Sequence, residues 1–109
     1  TITTVQNRFS ITYRKSQEVL ERCSHNNIAF IPWYPLDAGA MENPEIQAIA
    51  SKYQVSIYQL ALAWLLDYSP NILPIPGTSS VQHLHDNVAA AQIKMDLEDL
   101  HLLNQLQLQ

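Results

Sequence analysis

The stretch best equipped for chemistry runs from Ile72 to Asn87 and centres on Gly77-Thr78-Ser79-Ser80. Ile72-Leu73-Pro74-Ile75 reads as a short apolar strand, and Val81 opens what reads as a helix. Strand, tight turn and helix in that order make an anion site. The first N–H groups of a helix lack intrahelical partners, and the aligned peptide dipoles favour negative charge there. Gly77 would let a ligand approach the main chain, while Thr78, Ser79 and Ser80 would add hydroxyl donors and a candidate N-cap. A phosphate suits such a place. The same turn also serves, with no ligand at all, as a well-capped loop.

The elements that must carry this turn follow from the pattern upstream and downstream of it. The chain opens without Met on a strand-like run, Thr3 to Ile11, which reads as the continuation of something longer. Ser16 can cap a helix that turns Val19, Leu20 and Cys23 to one face and ends near Asn26-Asn27. Ile28-Ala29-Phe30-Ile31 is a near-continuous apolar run, the pattern of a parallel strand buried on both faces. Pro32 to Gly39 then reads as a shaped loop.

Asn43 followed by Pro44 punctuates the next helix, with Ile46, Ile49, Ala50 and Tyr53 on one stripe. Ser56 and Gln59 match a capping box that opens an all-round apolar helix, which stops before Ser69-Pro70. Ile72 to Ile75 is the expected third strand. The helix after Ser80 should turn Val81, Leu84 and Val88 inward, and Asp96 can cap a last helix, Leu97 to Leu106. Strands and helices alternate, which implies parallel strands joined by right-handed crossovers in an α/β fold. Three strands do not close a sheet.

With 109 residues and no repeat or linker, the chain is one segment with one core. A net charge of −4 with only six Lys and Arg leaves no basic face for DNA or RNA, so nucleic acid is not an expected partner. A single cysteine, Cys23, fits a reduced structural thiol, and no run approaches a membrane span. The expectation is a cytoplasmic chain with no membrane partner. His25, His85 and His101 have no neighbours at metal or triad spacing, so no metal site is expected.

Val5-Gln6-Asn7-Arg8-Phe9, Phe30 through Leu36, Gln59 through Leu66, and Pro74 through Ser80 with His83-Leu84 and Asp86 to Ala90 together resemble the C-terminal part of an aldo-keto reductase. These stretches occur in the family's order and cover nearly all of residues 1–109. The resemblance implies a partial (β/α)8 TIM barrel, about the last three βα units plus a C-terminal helix, since a full barrel needs about 200 residues. It implies NADP(H) as cofactor and, in the full-length parent, a small carbonyl substrate reduced to an alcohol.

Site roles follow from the same resemblance. Gln6 would hydrogen-bond the nicotinamide carboxamide, and Trp33 would stack on the nicotinamide ring. Tyr34, Pro35, Leu36 and Gly39 would line the pyrophosphate and ribose. Gly77, Thr78, Ser79, Ser80, His83, Asp86 and Asn87 would hold the adenosine 2′-phosphate and adenine. Gly77 and His83 stand where several members of the family carry Lys and Arg, which implies a softer preference for NADP(H) over NAD(H).

The family's catalytic Tyr, Lys, Asp and His lie on earlier strands, so no catalytic residue is assigned here and the chain alone is expected to be inactive. Three readings follow. The chain is a segment of an NADP(H)-dependent reductase, or a non-catalytic dinucleotide-binding module that self-associates to cover its sheet edges, or one subunit of a split barrel completed by a partner chain.

Overall fold

The computed structural model describes residues 1–33 and 38–106. Strand β1 (Thr4–Arg8) and strand β2 (Ala29–Trp33) pair in parallel, Thr4 opposite Ala29 and Arg8 opposite Trp33. Helix α1 (Gln17–His25) makes the crossover. Ser16 stands at its N-cap position without a side-chain cap bond, and Val19 is 39% exposed, so only Leu20 and Cys23 of the expected face are buried. The helix ends where Asn27 takes a left-handed φ of 55° and the Ile28 N–H donates to the Cys23 carbonyl at 2.9 Å. Asparagine tolerates that conformation better than most residues.

Helix α2 (Ala38–Glu42) takes up part of the expected loop, and helix α3 (Pro44–Lys52) begins as the sequence predicts. The Asn43 side chain accepts from the N–H groups of Glu45 and Ile46, and Pro44 fills the first helical position. Helix α4 (Ile57–Tyr68) carries the full capping box, Ser56 accepting from the Gln59 N–H and Gln59 accepting from the Ser56 N–H. Helix α5 (Val81–Ala89) leads into a short 3-10 turn, and helix α6 (Leu97–Gln105) is capped by Asp96.

Residues alternate across a strand, so Val5 shares a face with Phe30 and Pro32, while Gln6 shares the other with Ile31 and Trp33. The Phe30 face is sealed by Leu20 of α1, Ile46 of α3, Leu60 and Trp64 of α4, and Leu103 of α6. Phe9 sits at the centre, edge-on to Phe30 at 5.9 Å and stacked on Trp64 at 5.8 Å. The opposite face is open among the described residues, and Trp33 there is 45% exposed. The expectation of a strand buried on both faces thus holds for one face only, because every helix of the core cluster packs on the same side.

Two further differences concern the sheet. Pro32 and Trp33 continue β2 rather than opening a loop. Phe30 exchanges bonds with the third segment, taking the Asn71 carbonyl at 2.9 Å and offering its own carbonyl to Leu73. Pro32 points to that same edge two residues on, where no ladder bond needs its missing N–H. The expected third strand shrinks to the single bridge between Phe30 and Ile72. Its residues Leu73 and Ile75 remain 53% and 59% exposed, since a strand exists only as far as its partner pairs with it.

The C-terminal helix is docked by Arg14 from the turn after β1. The guanidinium donates to the Leu103 carbonyl at 2.8 Å and the Asn104 carbonyl at 3.1 Å, and lies 4.4 Å over the Trp64 ring. Cations belong at helix C-termini, where carbonyls have no intrahelical donors. Burial lowers the pKa of Arg14 from its usual value, with Tyr68 opposing the shift.

Candidate functional site

Gly77 and residues of α5 converge with the start of α4 on one cleft of about 370 Å³, while Thr78, Ser79 and Ser80 do not line it. Gly77, His83, Asp86 and Asn87 line one side, and Ser56, Tyr58 and Gln59 line the other. The turn is self-bonded. The Thr78 hydroxyl donates to the Ser80 carbonyl at 3.2 Å, and the Ser80 N–H returns to the Thr78 hydroxyl oxygen at 3.1 Å. Ser80 is the N-cap of α5, its hydroxyl oxygen accepting from the His83 N–H at 3.3 Å. This leaves the N–H groups of Val81 and Gln82 as the helix-start donors that no turn of α5 satisfies. Ser79 lies exposed between its two bonded neighbours.

Gly77 has no left-handed φ, and a Cβ built on it would meet nothing within 4 Å. The chain itself therefore does not require glycine there. What glycine provides is open space on the cleft wall, the property an approaching ligand would use.

Gln59 holds the two walls together. While its Oε1 closes the capping box of α4, its Nε2 donates to the Asp86 carbonyl of α5 at 3.1 Å. Asp86 in turn accepts from the Gln82 side chain at 3.0 Å. Asp86 and Asn87 are half-buried, and His83 is exposed at the rim. Ser56, Tyr58 and Gln59 were absent from the residues expected at this site. Ser56 and Gln59 signalled a capping box, which predicts where a helix starts and not what faces its start, and Tyr58 signalled nothing of its own.

Gln6 and Trp33 lie elsewhere, on the open face of the sheet. Gln6 is exposed and pairs with Ile31, two residues before Trp33 on the same face. Tyr34, Pro35 and Leu36 lie outside the described residues, and Gly39 falls within α2. The expectation that Val81, Leu84 and Val88 turn inward is overturned. They are 72%, 52% and 64% exposed, and α5 buries no residue of its own. Periodicity draws an apolar stripe, but only a neighbouring surface can bury it.

A second polar cluster joins α3 to α6. Tyr53 donates to Asp99 Oδ2 at 2.5 Å and accepts from the Asp96 N–H at 2.8 Å. Lys52 Nζ reaches Asp99 Oδ2 at 2.7 Å and Asp96 Oδ2 at 3.0 Å. Hydrogen bonds to Asp99 and Asp96 push the Lys52 pKa up. Burial, then the bond to Asp99, raises that of Tyr53. The Asp99 N–H and Lys52 lower that of Asp96. A tyrosine made harder to ionise, with its hydroxyl donating and accepting inside the chain, is a staple rather than a proton donor to substrate.

No group of His, Cys, Asp and Glu among the described residues is arranged to hold a metal, and no described helix is long and apolar enough to cross a membrane.

Comparison with known proteins places this geometry in context. The model of the Aldo/keto reductase family matches residues 1–107. An uncharacterized oxidoreductase of Schizosaccharomyces pombe is 48% identical over 99 residues, covering 89% of this chain and 32% of that protein. Pyridoxine 4-dehydrogenase of Escherichia coli is 38% identical over 104 residues, covering 94% and 36%. An aldo/keto reductase from Klebsiella pneumoniae, solved with NADP and acetate, superposes with a TM-score of 0.86 at 25% identity, covering 95% of this chain and 39% of that one. The chain thus spans about a third of the length of the relatives it matches.

Proposed function

Because the chain belongs to the aldo/keto reductase family, as a partial (β/α)8 barrel, we propose that it works as the NADP(H)-holding segment of a carbonyl reductase. The catalytic acid and its partners would be supplied by barrel strands outside these 109 residues. The observation that carries this reading is the cleft of about 370 Å³, which gathers Gly77, His83, Asp86 and Asn87. Pockets for whole drug-sized ligands run from about 300 to 1,000 Å³, so this one has room for one end of a dinucleotide. The Klebsiella relative solved with NADP supports the same assignment.

The chemistry NADPH would supply when bound is a hydride for the carbonyl carbon of a substrate. This chain's residues bind and orient. The Gly77–Ser80 turn and the start of α5 would take the 2′-phosphate on N–H groups and hydroxyls, with His83 at the rim. Asp86 and Asn87 would meet the adenine edge. Gln6 would fix the carboxamide, whose two-sided hydrogen bonding an amide side chain matches, and Trp33 would offer its flat face to the nicotinamide ring. Tyr34, Pro35, Leu36 and Gly39 would lie along the pyrophosphate.

Titration of the chain with NADPH, by calorimetry and tryptophan fluorescence, tests this reading. Trp64 is buried and bonded to Asn104, so quenching should come from the exposed Trp33 and vanish in Trp33→Phe. A folded chain that gives neither heat nor quenching would refute the assignment.

A further inference from the structure

The α4 wall of the cleft contains one residue that no structural task explains. Ser56 caps, Gln59 closes the capping box and braces Asp86, and Ile57 packs against the core. Tyr58 does none of these. It is half-buried, lines the cleft opposite Asp86 and Asn87, and makes no hydrogen bond among the described residues. A ring held against an open cleft, with its two sequence neighbours fixed in the core and in the cap, is a preorganised flat surface.

What such a surface would take follows from its surroundings. Asn87 offers an amide, a donor and an acceptor side by side, the pair that reads the edge of adenine. Asp86 adds an acceptor, and the start of α5 lies beside the cleft, between Gly77 and His83 of its lining. A flat wall and a two-sided polar edge in one small cleft, with a helix start beside it, match a purine nucleotide better than a bare phosphate or a sugar phosphate. Bases stack on aromatic side chains whatever their sequence, because each has a π-face.

We propose that Tyr58 is the stacking platform for the adenine ring in this cleft, and therefore a residue that sets its preference for adenine nucleotides. The inference rests on the cofactor reading above and goes further by giving one side chain, on the opposite helix, the task of holding the base.

The test uses calorimetric titration of the chain and of Tyr58→Ala, Tyr58→Leu and Tyr58→Phe with three probes: NADPH, adenosine 2′-monophosphate and reduced nicotinamide mononucleotide. Circular dichroism checks the fold of each variant. Tyr58→Ala and Tyr58→Leu should weaken NADPH and adenosine 2′-monophosphate on the order of ten-fold or more, from the size of base–aromatic stacking. Tyr58→Phe should bind like the parent, and the mononucleotide, which has no adenine, should not distinguish the four chains. The leucine variant keeps apolar bulk without a flat face, so its loss separates stacking from mere packing. If NADPH binds the parent and the leucine variant equally, the platform is overturned while the cofactor reading stands. If the parent binds no adenine probe, both are overturned together.

Discussion

The side-chain amide of Gln59 donates through Nε2 to the main-chain carbonyl of Asp86 at 3.1 Å, linking the first turn of α4 to the middle of α5. The same side chain accepts from the Ser56 N–H through Oε1. One residue therefore both starts a helix and sets the width of the cleft between two helices. Glutamate can perform the first task but not the second, because it has no donor to offer a carbonyl.

Gln59→Glu is accordingly expected to melt within a few degrees of the parent yet bind NADPH several-fold more weakly. Gln59→Ala, which also loses the cap, should cost about 1 kcal/mol of stability. Thermal denaturation and NADPH titration together separate the effects, with reduced nicotinamide mononucleotide as the control whose affinity stays put. Unchanged NADPH affinity in Gln59→Glu would show that the brace does not shape the site.

Gly77→Ala should raise stability by about 0.4–1 kcal/mol through the entropy of the unfolded chain. Its backbone is outside the left-handed region and the new methyl meets nothing within 4 Å. NADPH binding should fall, since that methyl stands on the wall of the cleft. Opposite signs in a melting curve and a titration are the signature, and a variant that binds as well as the parent would remove Gly77 from the site.

The Lys52, Tyr53, Asp96 and Asp99 staple predicts a pH dependence with a definite sign. Lys52 and Tyr53 hold their protons more tightly folded than unfolded, so their contribution is complete below their ordinary values of 10.5 and 10.0 and is lost as pH rises through the folded values. Asp96 shifts the other way, contributing above its ordinary 3.8 and fading as pH falls further. Melting temperature should therefore drop in strong alkali and strong acid. Asp99→Asn should lower stability by about 1–3 kcal/mol near neutrality and flatten the alkaline limb. An equally steep alkaline limb in that variant would assign it to other groups.

Gln54 holds a left-handed φ of 57° where α3 ends, and the bonds from Val55 N–H to the Ala50 carbonyl and from Gln54 N–H to the Ser51 carbonyl depend on it. Glycine adopts that conformation without strain. Gln54→Gly should stabilise by about 0.5–1 kcal/mol, the left-handed strain relieved less the entropy glycine adds to the unfolded chain. Asn27→Gly, at the matching position after α1, should change little because asparagine already tolerates it. Paired urea denaturation curves would decide, and a gain at Asn27 equal to that at Gln54 would contradict the explanation.

The sequence made the caps at Asn43, Ser56, Ser80 and Asp96 legible, because a cap is a bond between residues two or three apart. The buried stripe of α3 and the burial of Leu60 to Leu65 in α4 were legible as well, because neighbouring elements do cover those apolar faces. Legibility failed where the answer lay on another element. Val81, Leu84 and Val88 carry the right period, yet nothing among the described residues covers them. Ile72 to Ile75 has strand composition, but pairing extends over one bridge. In the cleft, Gly77, His83, Asp86 and Asn87 come from one continuous stretch, Gly77 singled out by its turn and the others by resemblance. Tyr58 and Gln59 face them from some twenty to thirty residues away, and the staple from Lys52 to Asp99 spans 47. No local pattern encodes such a meeting.

Arg14 belongs to the turn after β1, and its carbonyl partners on α6 lie 89 and 90 residues further on. On a ribosome, β1 and the crossover helix α1 emerge long before Leu103 and Asn104 exist. Until then the guanidinium has no helix end to hold, and the indole N–H of Trp64 lacks its Asn104 acceptor. The core around Phe9 therefore closes only once α6 has been made. A nascent chain stalled before Leu103 should remain open to protease around Trp64, and should close only when α6 has been released.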